Sequence, residues 1–187
     1  MNYIVFDLEN NCSFRFNRIT RQLEKGNSNR ICPNEIIELG AVKLNADLDI
    51  IDSFKMYIKP RLYKRINPKI KKKTRITEDK LKHAFPFKQA INDFINWIGS
   101  EYLLCCWGKD DILTLKRNCK YHNLDCEWVG NYIDIQYSIT EYFNYPHQIG
   151  LKNALTEFNI AVEGQLHDAL NDAEYTAKII KVSKCIK

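Results

Sequence analysis

Short apolar runs in the first third of the chain have the lengths and boundaries of β-strands. They cover residues 3–8, 35–45 and about 51–58, and polar or turn-forming residues separate them. Runs of four to eight or more β-branched, aromatic and aliphatic residues between turn signals are typical of strands. Three such strands in succession predict a meander at the start of the fold.

The spacing of apolar residues changes to a helical one after residue 86. In "PFKQAINDFINWI" they recur at intervals of three and four from Phe87 to Ile98, which predicts an amphipathic helix that Gly99 ends. Tyr102 to Trp107 then predicts a short buried strand. Further along we expect a helix at about 110–122, a strand near 132–135, and helices at about 151–158 and 168–182. Strands followed by alternating helices and strands predict an α/β fold, a mixed sheet flanked by helices.

Length and composition fit one globular domain. The chain has 187 residues, of which 45% are hydrophobic and 27% charged, enough for a sizeable core. We therefore expect a single domain over residues 1–187. The N-terminus lacks the pattern of a secretory leader, and the apolar runs are shorter than a membrane span. These features predict a cytoplasmic protein with no membrane partner.

The seven cysteines are an odd number in a chain without an export signal, which argues against a disulfide framework. We expect reduced and mostly buried thiols. A zinc site can be drawn from Cys119, His122, Cys126 and His147, although no C-x2-C pair is present and Cys119 falls on an apolar helical stripe. The zinc site is the less favoured alternative.

Basic residues are concentrated in two segments. Lys59 to Lys82 contains eleven Lys or Arg residues against two acids, while the net charge of the chain is only +5. A second cluster occupies residues 10–34, whose Gly, Asn, Ser and Pro content predicts a long basic loop. Four aromatic residues are interleaved with these cations and have the chemistry to stack on bases: Phe14, Phe16, Tyr57 and Tyr63. The alternative is a solvated basic face without a partner.

Two carboxylates follow the first predicted strand. In "NYIVFDLENN", Asp7 and Glu9 are two residues apart, so both side chains point to the same face of an extended chain. Like charges this close repel unless a proton or a cation lies between them. The alternative is a pair of solvated turn residues.

Two further acids lie on the inner faces of predicted helices. Asp111 precedes Leu115 and Cys119 by four and eight residues and therefore shares their apolar stripe, whereas Asp110 points elsewhere. Asp172 lies among alanines in the last predicted helix. Either acid alone is commonly a helix-start residue. Inward carboxylates on separate elements need a compensating cation, and oxygen-rich groups select hard ions such as Mg²⁺ or Mn²⁺.

Four segments in this order resemble a known family. "FDLE" after the first strand, "EIIELGAV" in the second, "WGKDD" before a helix and "HDALNDA" at the start of the last helix are similar to the motifs of the DEDDh 3′–5′ exonucleases. The resemblance implies a ribonuclease H-like fold, with a five-stranded mixed β-sheet flanked by α-helices. The W-G-x-x-D form resembles the branch that includes histone-mRNA and RNA-interference exonucleases and bacterial relatives.

The resemblance also implies roles for individual residues. Asp7, Glu9, Asp111 and Asp172 would hold two Mg²⁺ or Mn²⁺ ions, and His167 would be the general base. An imidazole with an ordinary pKa near 6.5 suits that role at neutral pH. The adjacent His-Asp pair could also indicate an HD-type phosphohydrolase, but the second paired-histidine site of that class is missing from the sequence.

One segment departs from the family pattern. "TRIT", residues 74–77, has Arg75 where the family has glycine, in the stretch that helps to seat the terminal nucleotide. The basic run places Lys71, Lys72, Lys73, Arg75 and Thr77 as candidates for nucleic-acid contacts. The sequence thus predicts a metal-dependent 3′–5′ exonuclease acting on single-stranded ends, with RNA favoured over DNA. The alternative is a non-catalytic nucleic-acid-binding or adaptor module on the same fold.

Overall fold

A computed structural model describes residues 1–186 of the chain. Seven strands and seven α-helices follow one another in these residues, with a single 3₁₀ turn at Glu127–Val129. The strands are β1 (Asn2–Cys12), β2 (Phe14–Asn17), β3 (Gln22–Lys25), β4 (Asn34–Leu44), β5 (Ile50–Tyr57), β6 (Tyr102–Cys106) and β7 (Tyr132–Asp134). The helices are α1 (Pro68–Thr74), α2 (Glu78–Lys82), α3 (Phe87–Ile98), α4 (Lys109–Tyr121), α5 (Ile135–Tyr142), α6 (Leu151–Glu157) and α7 (Ala169–Ser183).

The main sheet has five strands in the order β5-β4-β1-β6-β7. β1, β4 and β5 form the predicted meander of antiparallel neighbours, and β6 and β7 run parallel to β1. The prediction of a mixed five-stranded sheet flanked by helices is therefore confirmed. β1 is the central strand, so a residue near its carboxyl end can be reached from both halves of the sheet.

Alternation along β1 divides the core into two layers. Ile4, Phe6 and Leu8 pack with α3 and α4 on one face, whereas Val5 packs with α5, α6 and α7 on the other. Asp7 and Glu9 follow Val5 at intervals of two and therefore face α7. A smaller cluster that includes Ile66, Ile76 and Leu81 anchors the basic helices α1 and α2 to the sheet.

The structure differs from the predicted elements mainly between residues 10 and 34. This segment was expected to be a loop, but β1 continues to Cys12 and a separate hairpin, β2–β3, follows it. Helices α1, α2 and α5 were also not predicted. α1 and α2 have seven and five residues, too few to show a helical period, and α5 begins directly after β7 with Asp134 as its N-cap.

Residues 1–186 include no helix with the length and apolar character needed to cross a membrane. Each of the seven cysteines is a free thiol, as expected, and Cys32, Cys105, Cys106 and Cys119 are buried.

Candidate active site

The site begins at the carboxyl half of β1. Asp7 lies opposite Gly40 in the antiparallel register with β4, and Glu9 lies opposite Glu38. The register shifts between Glu9 and Asn10, so the strand is irregular directly after the second acid. Such a bulge redirects side chains and commonly lies next to functional sites. The alternation that places Val5 against α7 thus brings both carboxylates to the same side of the sheet.

Gly40 allows α7 to approach this point of the sheet closely. A Cβ atom at position 40 would collide with the backbone of Ala169 and Leu170, the first residues of α7. Only glycine fits such close backbone contact. Because Gly40 is the register partner of Asp7, the start of α7 lies directly over the first catalytic candidate.

This approach brings two residues of the last motif to Glu9. Ligand-competent atoms of Glu9, His167 and Asp172 all lie within 4.8 Å of one another. The backbone N–H of His167 donates to Asp172 Oδ2 at 3.0 Å, and the imidazole Nδ1 lies 3.9 Å from the same oxygen. His167 has φ of 64°, a left-handed conformation that costs free energy for a residue with a Cβ and is concentrated at functional sites.

Asp111 reaches the site from the first turn of α4, while Asp110 does not. Asp111 is partly buried, and its charge raises the pKa of Asp7, so the two carboxylates interact electrostatically. Asp110 is exposed, as the helical stripe predicted. The four acids and His167, here called the acidic centre, thus come from β1, α4, α7 and the turn before α7.

Burial and mutual repulsion raise the pKa values of all four carboxyl groups. Burial raises the pKa of Glu9 to about 8, and it raises that of Asp172 to about 6. Burial also raises the pKa of Asp7 and of Asp111, and neighbouring acids raise both further. Asp172 Oδ1 is buried and has no hydrogen-bond partner within the described residues. An orphaned buried oxygen in a cluster of acids fits a site for a hard divalent cation.

The pKa of His167 is shifted in the opposite direction. Partial burial lowers it, and the positive charge of Lys73 lowers it further. A lowered pKa keeps the imidazole neutral at physiological pH, the form in which it can accept a proton. The HD-phosphohydrolase alternative finds no support, because the ligand atoms near His167 belong to Glu9 and Asp172 rather than to a second histidine.

The predicted nucleic-acid contacts divide into residues near the acidic centre and residues outside it. The charge of Lys73, at the end of α1, lowers the pKa of Glu9 and Asp172 and therefore acts on the centre itself. Lys71 instead forms an ion pair with Glu78, with Nζ 2.7 Å from Oε2. The Lys73 charge therefore acts on the acids of the centre, whereas the Lys71 charge is neutralised by Glu78.

The other three candidates have structural positions that the sequence did not reveal. Arg75 is the C-cap of α1 with φ of 58°, the left-handed position that glycine usually occupies there. Thr77 is the N-cap of α2, and its hydroxyl accepts from the backbone N–H of Lys80 at 3.3 Å. Lys72 is exposed and lies outside the acidic centre.

Sequence reasoning did not assign roles to three residues around the centre. Glu38 is buried beside Glu9, and its Oε1 lies 3.1 Å from Lys55 Nζ. Lys55 also pairs with Asp168, the N-cap of α7, so it ties the sheet to the start of that helix. The segment "EIIELG" contains Glu38 and Gly40, which are two residues apart. Asp7 and Glu9 on the paired strand have the same spacing. This match is the sequence signal that could have indicated that Glu38 and Gly40 lie beside the centre.

The alternative zinc site is not formed. Within residues 1–186, Cys119, His122, Cys126 and His147 do not gather their ligand atoms into a metal site. Burial raises the pKa of the Cys119 thiol to about 12, and the His122 ring stacks on Phe87 with 4.6 Å between centroids. Cys119 therefore belongs to the hydrophobic core, and His122 packs at the edge of that core.

Known proteins are similar to this chain over most of its length. Residues 4–180 match the family described as Exonuclease (RNase_T). Probable 3'-5' exonuclease KapD of Bacillus subtilis is 27% identical over 150 residues, covering 79% of this chain and 72% of that protein. The rat protein 3'-5' exoribonuclease 1 is 27% identical over 161 residues, covering 78% of this chain but only 46% of its own length. The present chain thus spans about half of the rat relative.

A solved structure gives the same result for the fold. The nuclease domain of 3'hExo, a DEDDh family member bound to rAMP, superimposes with a TM-score of 0.82 at 26% identity, over 96% of this chain and 90% of that one. The prediction of a ribonuclease H-like fold is confirmed. The chain therefore belongs to the exonuclease family and is an enzyme of its DEDDh 3′–5′ type.

Proposed function

We propose that this enzyme is a metal-dependent exonuclease that removes nucleoside monophosphates from the 3′ end of single-stranded nucleic acid. The observation that carries the proposal is the acidic centre. Ligand atoms of Glu9, His167 and Asp172 lie within 4.8 Å of one another, and the charges of Glu9 and Asp172 raise the pKa of both Asp7 and Asp111. A protein that only bound nucleic acid would gain nothing from acids placed where a phosphate must come, because they repel it in the absence of cations.

Asp7, Glu9, Asp111 and Asp172 would hold two divalent ions, Mg²⁺ or Mn²⁺. Carboxylate oxygens are the ligands that these ions prefer. The raised pKa values and the orphaned Asp172 Oδ1 support this assignment, because both are relieved by a cation among the acids. When bound, the two ions would activate the attacking water and stabilise the charge on the leaving 3′ oxygen.

His167 would accept the proton from the attacking water. Its exposed side chain, with 44% of its surface accessible, leaves room for water and substrate beside it. The hydrogen bond from its backbone to Asp172 fixes the position of the turn that carries it. Its lowered pKa provides the neutral imidazole that a general base requires.

The basic face next to the centre would bind the phosphates of the strand. Lys72, Lys73 and Arg75 are exposed at the end of α1, and Lys71 and Thr77 flank them. Gln165 Nε2 donates to the carbonyl of Thr74 at 3.0 Å, so the end of α1 is tied to the turn that precedes His167. A phosphate held by α1 would therefore lie beside the general base.

RNA is the favoured substrate. The supports are the exoribonuclease name of the rat relative, the rAMP bound to the nuclease domain of 3'hExo, and the W-G-x-x-D motif. The kcat/KM values for matched RNA and DNA oligomers with 3′-hydroxyl ends test this preference. A higher kcat/KM for DNA would overturn the preference for RNA.

The activity itself is tested with a 5′-labelled single strand. With Mg²⁺ or Mn²⁺ we expect a ladder of products that shorten from the 3′ end, together with release of mononucleotides. With EDTA we expect no shortening. Equal degradation in chelator would overturn the metal-dependent mechanism, and intact substrate under both conditions would overturn the exonuclease proposal.

A further inference from the structure

A cavity of about 460 Å³ lies between the β2–β3 hairpin and the segment that joins β5 to α1. Its volume falls within the usual range of ligand pockets. Three aromatic and three basic residues line it: Phe14, Phe16, Tyr63, Arg15, Lys64 and Arg65. We call it the hairpin cleft. Its lining residues belong to neither the acidic centre nor the α1 contacts proposed above.

The hairpin cleft and the acidic centre each include a residue of β1. Cys12, the last residue of β1, lines the cleft, and Glu9 lies three residues before it. Three residues of extended chain span about 10 Å. Since stacked nucleotides rise about 3.4 Å each along one strand, the cleft is about three nucleotides from the acids.

The floor of the cleft is held in place by buried polar side chains. Asn11 is fully buried, and its Nδ2 donates to the carbonyls of Tyr63 at 2.8 Å and Arg65 at 3.0 Å. The buried Glu35 carboxylate accepts from the backbone N–H groups of residues 61–63. The Tyr63 hydroxyl donates to the carbonyl of Cys32 at 3.0 Å. These bonds give the exposed side chains of the segment a fixed base.

The side chains above this floor are free to meet a ligand. Phe16 is 57% exposed, so its ring is open to a ligand. Lys64 and Arg65 are exposed, and within residues 1–186 neither lies within ion-pair distance of a carboxylate. Arg15 already pairs with Glu24 at 3.0 Å. Aromatic faces beside unpaired cations are the chemistry with which proteins bind single-stranded nucleic acid.

We propose that the hairpin cleft binds the single-stranded nucleic acid upstream of the cleaved 3′ nucleotide, with bases against Phe14 and Phe16 and phosphates beside Lys64 and Arg65. The inference rests on the proposed exonuclease function, because it assigns the cleft to the substrate of the same site. It predicts that strands long enough to reach the cleft bind more tightly than strands that occupy the acidic centre alone.

The test compares a trimer with a 12-mer of the same sequence. For wild-type enzyme we expect a lower KM for the 12-mer. Phe16→Ala should raise that KM about tenfold, the typical cost of a lost base stack. The double variant Lys64→Ala/Arg65→Ala should raise it as well and lower the log–log salt slope by about 0.7 for each lost phosphate contact. The trimer KM and kcat should not change.

Two control variants match these changes outside the cleft. Arg18→Ala removes an exposed cation from the turn of the same hairpin, and Tyr137→Ala removes an exposed aromatic ring from α5. Both should leave the 12-mer KM unchanged. An unchanged 12-mer KM in the cleft variants, or an equal loss on the trimer, would overturn the proposal.

A binding measurement separates the cleft from the chemistry. Fluorescence anisotropy of a labelled 12-mer in EDTA reports binding without hydrolysis, and the cleft variants should weaken it while the controls do not. In one outcome, wild-type enzyme releases no nucleotide with metal while the cleft variants still bind the 12-mer more weakly than wild type. That result would overturn the exonuclease proposal but support nucleic-acid binding by the cleft. Equal binding by all variants would overturn the proposal that the cleft binds nucleic acid.

Discussion

The acidic centre and the hairpin cleft both include residues of β1, Glu9 and Cys12, but are built in different ways. The acids of the centre are buried or partly buried and come from the regular elements β1, α4 and α7. The residues of the cleft are exposed or partly buried and come mainly from a short hairpin and an irregular segment. The Asn11 side chain, more than fifty residues away in sequence, donates to two backbone carbonyls of that segment. Under the proposals above, the first region would bind cations and the second would bind a polyanion.

The chain thus presents opposite charges to a phosphodiester strand at neighbouring places on its surface. Acids close together repel the substrate until cations neutralise them, whereas unpaired lysines and arginines attract it at any metal concentration. We therefore expect changes in the acidic centre to affect kcat and metal binding, and changes in the basic regions to affect KM and its salt dependence.

Removal of the proposed general base should have the largest effect. His167→Ala should lower kcat by about 10²–10⁴-fold, because proton transfer by a positioned base contributes that much. The control is His147→Ala, which removes an exposed histidine outside the centre and should leave kcat unchanged. Steady-state rates of mononucleotide release measure both variants. Wild-type kcat in the folded His167 variant would assign the proton transfer to another group.

Metal should stabilise the protein most at high pH. The raised pKa values of Glu9 and Asp172, about 8 and about 6, mean that the folded metal-free chain binds protons more readily than the unfolded chain. Its stability should therefore rise as pH falls from 8 towards 6. A divalent cation replaces those protons, so its stabilising effect should be larger at pH 8 than at pH 6.

The size of that effect follows from ligand linkage. Metal at a hundred times its Kd stabilises by about 2.7 kcal/mol, which raises the Tm of a domain of this size by about 5–10 °C. Thermal unfolding with Mn²⁺ and with EDTA at pH 6 and pH 8 measures this rise in Tm. The rise should be mostly lost in Asp172→Asn and retained in Asp110→Asn. An identical Tm with metal and with chelator at pH 8 would contradict the cation site.

The basic helix α1 should give a smaller effect. Lys73→Ala should raise KM several-fold and reduce the log–log salt slope by about 0.7, the value for one single-strand phosphate contact. Lys71→Ala is the matched control, because the Lys71 ammonium is already paired with Glu78. KM measured from low to high salt separates the two variants. An equal rise for both would mean that the ion pair does not withdraw Lys71 from the substrate.

Much of the fold and of the acidic centre followed from local patterns. Strand alternation placed Asp7 and Glu9 on one face, and helical spacing separated Asp111 from Asp110. The meander, the amphipathic α3 and the helices near residues 110, 151 and 168 lie within a few residues of their predicted positions. These features depend on neighbours in sequence, which is why a single sequence reveals them.

The features that were not predicted depend on contacts between distant parts of the chain. Nothing local to Asn11 indicates that it holds the backbone of Tyr63 and Arg65, and the hairpin was hidden in a segment of polar, loop-forming composition. The ion pair of Lys55 with Glu38 and the close approach of α7 to Gly40 likewise arise only after the sheet and helix have packed.

The carboxylates of the acidic centre should be essential for hydrolysis, and two adjacent acids of α4 test this most directly. Asp110→Asn and Asp111→Asn remove the same charge from neighbouring positions of α4, one exposed and one facing the centre. Mononucleotide release from a 5′-labelled single strand at saturating Mn²⁺ should fall about 10³-fold for Asp111→Asn, the loss of several kcal/mol of metal-assisted catalysis. It should stay within about twofold of wild type for Asp110→Asn, as for an ordinary surface substitution. An active Asp111 variant beside an inactive Asp110 variant, both folded by circular dichroism, would contradict the account.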